Sequence, residues 1–277
     1  MSKTGLDLRR RGSLPKLVGH RGACDVAPEN TMASFVRAWQ DGADIIELDV
    51  RLSADQEVVV IHDARVDRTT DGTGYVSQMT VAELKKLDAG SWFDLRYAGE
   101  RIPTLSEVLD WTKGKIGLLL ELKFEPFGSY DPALAPRILE AVELADIDDQ
   151  IAMISYQPRA LVQVKAQAPH IPAGPMRARD GVLQVGVGLA RRFSLLRHSR
   201  ILTLLLLRPL RYTQAWGCDV VAPNIDLATE ALVEAAHRVD CPVSCGGLLW
   251  DYPAAIRMGV DTISSNNPGL VRSLYLR

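Results

Sequence analysis

Short apolar runs alternate along the chain with longer stretches whose apolar residues recur at helical spacing. Eight of the short runs, 17–20, 44–50, 116–122, 151–155, 171–176, 219–223, 242–245 and 261–264, predict strands. The intervening stretches 30–40, 104–111, 132–144, 158–167, 227–238 and 253–258 predict helices. Asn30 or Thr31 is placed to cap the first of these, and Thr104 with Glu107 three residues on forms a capping-box pattern. Strands that alternate with helices in a chain of 277 residues predict an α/β fold, a (β/α)8 TIM barrel rather than an open doubly wound sheet. The whole of 1–277 reads as one barrel domain, with no internal repeat or low-complexity linker. Two connections are long. One is a small insertion after the second strand, at about 51–103, and the other is a basic, leucine-rich connection at about 177–217.

The strand pattern also sorts the polar residues. Glu47 and Asp49 are two apart, so on a strand they share a side, while Ile46, Leu48 and Val50 take the other. Two carboxylates facing one barrel interior repel and lose hydration, and a cation between them relieves both costs. Glu121 and Lys123 repeat the spacing at the end of the third predicted strand. Three carboxylates suit Mg²⁺ or Ca²⁺, and the lack of paired cysteines or a His-x-x-x-His spacing argues against zinc. Either pair alone also fits solvated acids at a strand end.

Two histidines follow apolar runs in the same manner. His20 comes after Leu17-Val18-Gly19 and precedes Arg21 and Gly22, and His62 comes after the run 58–61 and precedes Asp63. Two imidazoles, an acidic cluster and the cations Arg21 and Lys123 together fit cleavage of a phosphodiester. Positive charge offsets the phosphate, one imidazole takes a proton from the nucleophile, and the other protonates the leaving alkoxide. His170, His198 and His237 lie in settings that read as structural or solvated.

Composition narrows the partners. The chain is 47% apolar and 24% charged with a formal net charge of −2, which describes an ordinary globular protein and gives no reason to expect nucleic acid. Cys24, Cys218, Cys241 and Cys245 lack zinc-site spacing and read as reduced thiols of a cytoplasmic protein. Arg9, Arg10 and Arg11 are not followed by a long apolar segment, so no secretory signal is expected, and no run reaches the ~20 apolar residues of a membrane span.

Seven short motifs occur in order: His20-Arg21-Gly22, Pro28-Glu29-Asn30-Thr31, Glu47-Leu48-Asp49, His62-Asp63, Arg68-Thr69-Thr70-x-Gly72-x-Gly74, Ile102-Pro103-Thr104-Leu105 and Glu121-Leu122-Lys123. Together they resemble the glycerophosphodiester phosphodiesterase family. The likeness is dense from 17 to 123 and thinner through Ile154-Ser155-Tyr156, Val221-Ala222-Pro223 and 259–263. It implies a barrel with an insertion after the second strand, in which Glu47, Asp49 and Glu121 hold a divalent metal. It likewise implies His20 and His62 as the acid/base pair, and Arg21 and Lys123 as phosphate contacts. The implied activity is metal-dependent hydrolysis of a glycerophosphodiester, small-molecule or lipid, to an alcohol and glycerol phosphate. Phosphoinositide-type or sphingomyelin-type barrels would use similar groups, but the Pro-Glu-Asn-Thr and Arg-Thr-Thr runs point away from them.

One departure stands out. Where the family usually has Trp-Thr-Val-Asn near the seventh strand, this chain reads Val243-Ser244-Cys245-Gly246-Gly247, which places Ser244 for the tryptophan and Gly247 for the asparagine. Altered recognition of the leaving group is expected. The alternative is a membrane-associated pseudoenzyme that binds phosphodiester lipids without turnover. The basic connection bears on this, because between 177 and 211 eight arginines stand against Asp180 alone, with leucines interspersed. That composition suits either peripheral contact with anionic membrane or a helix that packs its leucines on the barrel. Membrane contact would favour lysophospholipids.

Overall fold

The computed structural model describes residues 5–124, 129–177, 207–223, 228–246 and 251–276. Its strands are β1 (Lys16–Gly19), β2 (Ile45–Leu52), β3 (Val58–Val60), β4 (Gly117–Leu122), β5 (Ile151–Ser155), β6 (Ala173–Arg177), β7 (Ala222–Pro223), β8 (Ser244–Cys245) and β9 (Thr262–Ser265). All pair in parallel in the order β7-β6-β5-β4-β2-β1-β9-β8 except β3, which runs antiparallel to β2. The ends of that order meet through a parallel bridge between Val221 and Val243, with Ser244 N donating to Val221 O at 2.8 Å. Eight parallel strands therefore form a nearly closed TIM barrel, as the alternating pattern predicts.

The helices are α1 (Met32–Gln40), α2 (Val81–Leu84), α3 (Leu105–Thr112), α4 (Leu134–Ala145), α5 (Pro158–Gln167), α6 (Arg208–Ala215), α7 (Glu230–His237), α8 (Tyr252–Met258) and α9 (Pro268–Tyr275). Thr31 caps α1 through Ser34 N, and Thr104 closes the expected capping box on α3 with Glu107. Alternation on the strands separates two apolar layers. Ile46, Leu48, Val50, Leu118, Leu120 and Leu122 pack outward beneath the helices, and Val18, Ile45, Leu119, Ala152, Ile154 and Val220 fill the barrel interior.

Several boundaries differ from the sequence expectation. β2 continues to Leu52 because its end pairs with β3, Val50 opposite Val60 and Leu52 opposite Val58, so Arg51 and Leu52 belong to the barrel strand and not to the insertion. β7 and β8 are two residues each, shorter than the apolar runs that predict them. α9, capped by Asn267, was not expected, since a short polar turn hides its start. Between the long connection's ends, residues 178–206 lie outside the described residues, so the membrane-contact expectation for 177–211 falls mainly there; α6 occupies the remainder with Leu210 buried. Leu227 and Gly247 also lie outside the described residues.

A segment without strand periodicity shapes the barrel's other end. Residues 5–11 cross its N-terminal opening, with Gly5 N donating to His170 O and Leu6 N to Ile151 O. Leu8, 1% exposed, joins the interior layer beside Ile45 and Val220, and a Cβ at Gly117 would meet Leu6 at 2.9 Å. The floor is thus sealed by apolar side chains, leaving the C-terminal ends of the strands as the open face.

Candidate active site

The chain leaves β1 through a turn that tolerates little change. His20 N donates to Ser265 O at 2.9 Å, continuing the β1–β9 ladder. Gly22 has φ +85°, and a Cβ there would lie 2.3 Å from Ser34 Oγ, so only glycine fits against α1. Arg21 also takes a positive φ of 49°, held by its N–H to Glu47 Oε2 at 2.8 Å and by its carbonyl, which accepts from Asn30 N and Ser34 Oγ. The His-Arg-Gly and Pro-Glu-Asn-Thr motifs are two sides of this one turn. Asn30, itself at φ 56°, donates Nδ2 to Asp49 Oδ2 at 2.7 Å.

Glu47, Asp49 and Glu121 converge as the strand alternation predicts, since the β2–β4 register sets Asp49 opposite Glu121. All three are buried, and each offers an oxygen within 4.8 Å of the others. Lys123 joins them, its Nζ lying 2.8 Å from Asp49 Oδ1 and 2.5 Å from Glu121 Oε1. Burial, followed by the charge of Asp49, pushes Glu47 up to about 8, and burial pushes Glu121 up to about 7 despite Lys123. Burial would raise Asp49 too, but Lys123 and Arg21 outweigh it and hold Asp49 below the usual carboxylate range. Asp49 Oδ1 and Arg21 Nε are buried without an aligned hydrogen bond, although each has an ion-pair contact, at 2.8 Å to Lys123 and 3.4 Å to Asp49 Oδ2. An all-oxygen cluster with more charge than its own cations satisfy fits a hard divalent ion.

The two histidines are anchored through the same ring atom by different partners. His20 Nδ1 lies 2.7 Å from Asn266 Oδ1, and Cys24 Sγ stands 3.8 Å away. His62 Nδ1 lies 2.6 Å from Asp63 Oδ1. Its backbone is placed by the β2–β3 hairpin, where Ile61 N donates to Asp49 O, and by Arg51 Nε, which donates to His62 O at 3.0 Å. Burial, then the charge of Arg21, lowers His20 below its ordinary value; burial likewise lowers His62, against the pull of Asp49. With Nδ1 engaged in both rings, Nε2 is the atom left for proton exchange.

A cleft opens over this end of the barrel, lined on one side by His20, Glu47 and Glu121 and on the other by Ile154, Tyr156, Met176, Ala222 and Pro223. Ser244, Gly246 and Ser264 complete the wall, and Ser244 Oγ shares a 2.7 Å hydrogen bond with Thr262 Oγ1. The small side chain at 244 therefore faces the cleft, as the departure in the seventh-strand run implies. His62, one third exposed, stands beside the acidic cluster and outside this lining. Arg21 and Lys123 point their charge at the carboxylates, Arg21 also meeting Glu29 at 2.8 Å.

Residues 20–270 match the glycerophosphoryl diester phosphodiesterase family. The chain belongs to that family. A putative glycerophosphodiester phosphodiesterase of Bacillus subtilis is 57% identical over 110 residues, 40% of this chain and 45% of that protein. A glycerophosphodiester phosphodiesterase of Caldanaerobacter subterraneus is 41% identical over 158 residues, 57% of this chain and 65% of its own length. The matched part of the chain thus spans roughly half to two thirds of these relatives. Among solved structures, an Oleispira antarctica phosphodiesterase in complex with the product sn-glycerol-3-phosphate superposes with a TM-score of 0.77 at 27% identity, covering 94% of this chain and 96% of that one. A glycerophosphodiester phosphodiesterase of Agrobacterium tumefaciens gives 0.72 at 28% identity, over 94% and 100% of the two chains.

Every residue singled out from the sequence for the chemistry lies at this end of the barrel. The sequence alone assigns no role to Asn266 or Arg51, and Glu29 and Arg68 stand in its motifs without one. Asn266 had a signal, since it follows β9 directly as His20 follows the adjacent β1. Arg51 had none, because an arginine at a strand end is ordinarily solvated. The histidines set aside as structural pair with acids remote from the cluster, His170 with Asp148 at 3.0 Å and His237 with Asp261 at 2.7 Å; His198 lies outside the described residues. The four cysteines include no disulfide.

Proposed function

We propose that this single barrel domain hydrolyses a glycerophosphodiester to an alcohol and glycerol phosphate. The observation that carries the reading is the Glu47, Asp49 and Glu121 cluster set beside two histidines whose Nδ1 atoms are already committed. Bound by those three carboxylates, Mg²⁺ or Ca²⁺ would supply Lewis-acid stabilisation of charge on the phosphate oxygens. Arg21 and Lys123 then bind the phosphate, exchanging part of their pairing with Asp49 and Glu121 for it. His20 and His62 hold and pass protons at Nε2, one taking the proton of the nucleophile and the other delivering one to the leaving alkoxide. Burial lowers both rings below the ordinary histidine value, which suits the one that takes the nucleophile's proton, while the one that serves the leaving alkoxide must enter the reaction with a proton on Nε2.

The apolar side of the cleft and the small residue at 244 leave room for an acyl chain on the glycerol that stays with the phosphate, and lysophospholipids, which would give an alcohol and an acylglycerol phosphate, are included among the candidate substrates on that ground. A metal-supplemented assay over glycerophosphocholine, glycerophosphoethanolamine and lysophospholipids tests the reading, with Glu47→Ala and His62→Ala as controls. Turnover that both substitutions abolish is expected. Turnover that survives either one would sink the mechanism, and metal and diester binding without any turnover would make the protein a binding pseudoenzyme. Phosphorus NMR at an early time point separates direct attack by water from attack by a neighbouring hydroxyl of the substrate, because only the second yields a transient cyclic phosphate. Sedimentation with anionic but not zwitterionic liposomes is the outcome expected if the basic connection contacts membrane.

A further inference from the structure

We propose that Arg68, in the insertion that follows β3, is a positioning residue that holds the proton-transferring His62 and the phosphate-binding Arg21 in one rigid unit. Its guanidinium is used on two edges. Nη1 and Nη2 donate to the two oxygens of Glu29 at 2.8 and 2.7 Å, and Nε donates to Asp63 Oδ2 at 2.6 Å. Each acid then passes the contact on. Asp63 Oδ1 meets His62 Nδ1 at 2.6 Å, and Glu29 Oε1 accepts from Arg21 Nη1 at 2.8 Å. Arg21 in turn stands 3.4 Å from Asp49. Charges alternate without a gap from the insertion to the acidic cluster, across 39 residues of sequence between Glu29 and Arg68.

An exposed ion pair would do little of this work, because solvent screens it and its side chains stay mobile. Arg68 is itself 45% exposed, but the Glu29 side chain it grips is 11% exposed and receives both a planar fork and a second guanidinium. Only arginine offers three donors in the fixed plane that reaches Glu29 and Asp63 together, so lysine cannot reproduce it. Asp63, braced from behind, can rest only on Nδ1 of His62, which sets the tautomer and aims Nε2. Glu29, braced likewise, keeps Arg21 in its positive-φ turn facing the cluster. The Arg-Thr-Thr motif acquires a role through this contact, with Thr70 Oγ1 donating to Val66 O at 2.8 Å to shape the turn that presents Arg68.

The inference rests on the roles given above to His62 and Arg21, and its test is chosen to separate the two. In Mg²⁺-saturated protein, Arg68→Lys and Arg68→Met are each expected to lower kcat about 10- to 100-fold, the scale typical of residues that orient a catalytic group, and to raise KM as Arg21 loosens. Imidazole NMR of ¹⁵N-histidine-labelled protein should show a downfield Nδ1–H proton, assigned by its loss in His62→Gln, that broadens or vanishes in both variants. Arg68→Met combined with Asp63→Asn should have a kcat no lower than Asp63→Asn alone, because the two act in series on His62, while KM still rises through the Glu29 arm. A folded Arg68→Met protein with the parent's kcat, or an unchanged His62 resonance, would overturn the proposal. If Arg68→Met does not fold, Arg68→Lys, which keeps the charge but not the planar fork, is read in the same way. Should the parent protein turn over no diester, the kinetic arm fails with the functional reading, and the resonance alone still decides the positioning role.

Discussion

His20 and His62 leave their strands alike and are held unlike. His20 sits within the barrel wall, its Nδ1 against the neutral amide of Asn266 on the next strand's exit. His62 sits on the edge made by the insertion, its Nδ1 against a carboxylate that Arg68 braces. A carboxylate stabilises the imidazolium that forms when a base takes a proton, whereas an amide carbonyl fixes orientation with less effect on basicity. The two imidazoles thus differ in the group behind Nδ1, a neutral amide within the barrel wall for His20 and a braced carboxylate at its edge for His62, and on that ground we propose His62 as the base and His20 as the acid.

The largest expected effects break or keep that assignment. His20→Ala and His62→Ala should each lower kcat on a glycerophosphodiester by about 10²- to 10⁴-fold. With a p-nitrophenyl diester, whose leaving group needs no proton, His20→Ala should recover most of its rate and His62→Ala should not. Recovery by His62→Ala would reverse the roles. Exchanging the partners comes next in size. Asp63→Asn should cost about 10- to 100-fold in kcat, as loss of an orienting partner does. Asn266→Asp should cost less and move the pH limb governed by His20 upward, because a new carboxylate favours the imidazolium; a pH–rate profile reads this directly.

Metal binding by the acidic cluster would carry a signed pH dependence. Glu47 and Glu121 are pushed up to about 8 and about 7, above the ordinary glutamate value, so in metal-free protein their contribution to stability is greatest below about 4.5 and is lost as pH rises through 7 to 8. Ionised, the same groups would be the metal ligands. The rise in melting temperature on adding Mg²⁺ or Ca²⁺ should therefore grow between pH 5 and about 8, with protons released on binding. An increment independent of pH would place the ion elsewhere. The smallest effect concerns the scaffold on the His20 side alone. Thr31→Ala removes the cap of α1 and should cost about 1 kcal/mol of stability by denaturant titration.

Much of this was legible in advance, for reasons that differ by region. β2 and β4 pair over six successive positions, from Ile45 opposite Gly117 to Val50 opposite Leu122, so their alternation is long enough to read and it fixed which carboxylates meet. β7 and β8 contribute two residues each, and the apolar residues before them, Val220-Val221 and Pro242-Val243, belong to the same runs, which hides the true starts. Leu8 could not have been assigned from pattern, because a chain crossing a barrel floor has neither a period of two nor one of 3.6. Glu29 and Arg68 were visible as motif letters, but a charged residue in a loop carries no indication of its partner 39 positions away.

The sequence by itself determined the barrel, the inward set of Glu47, Asp49 and Glu121, and the two strand-exit histidines, because each follows from local periodicity and from the cost of burying like charges together. Only the tertiary structure decided what those groups lean on. It gave Asn266 to His20 and Asp63 to His62, turned Lys123 onto the carboxylates, and joined Arg21 to Arg68 through Glu29. Such partners come from segments that closure of the barrel brings together, and hydrogen-bond geometry across them depends on ångström-scale placement that no spacing along the chain encodes.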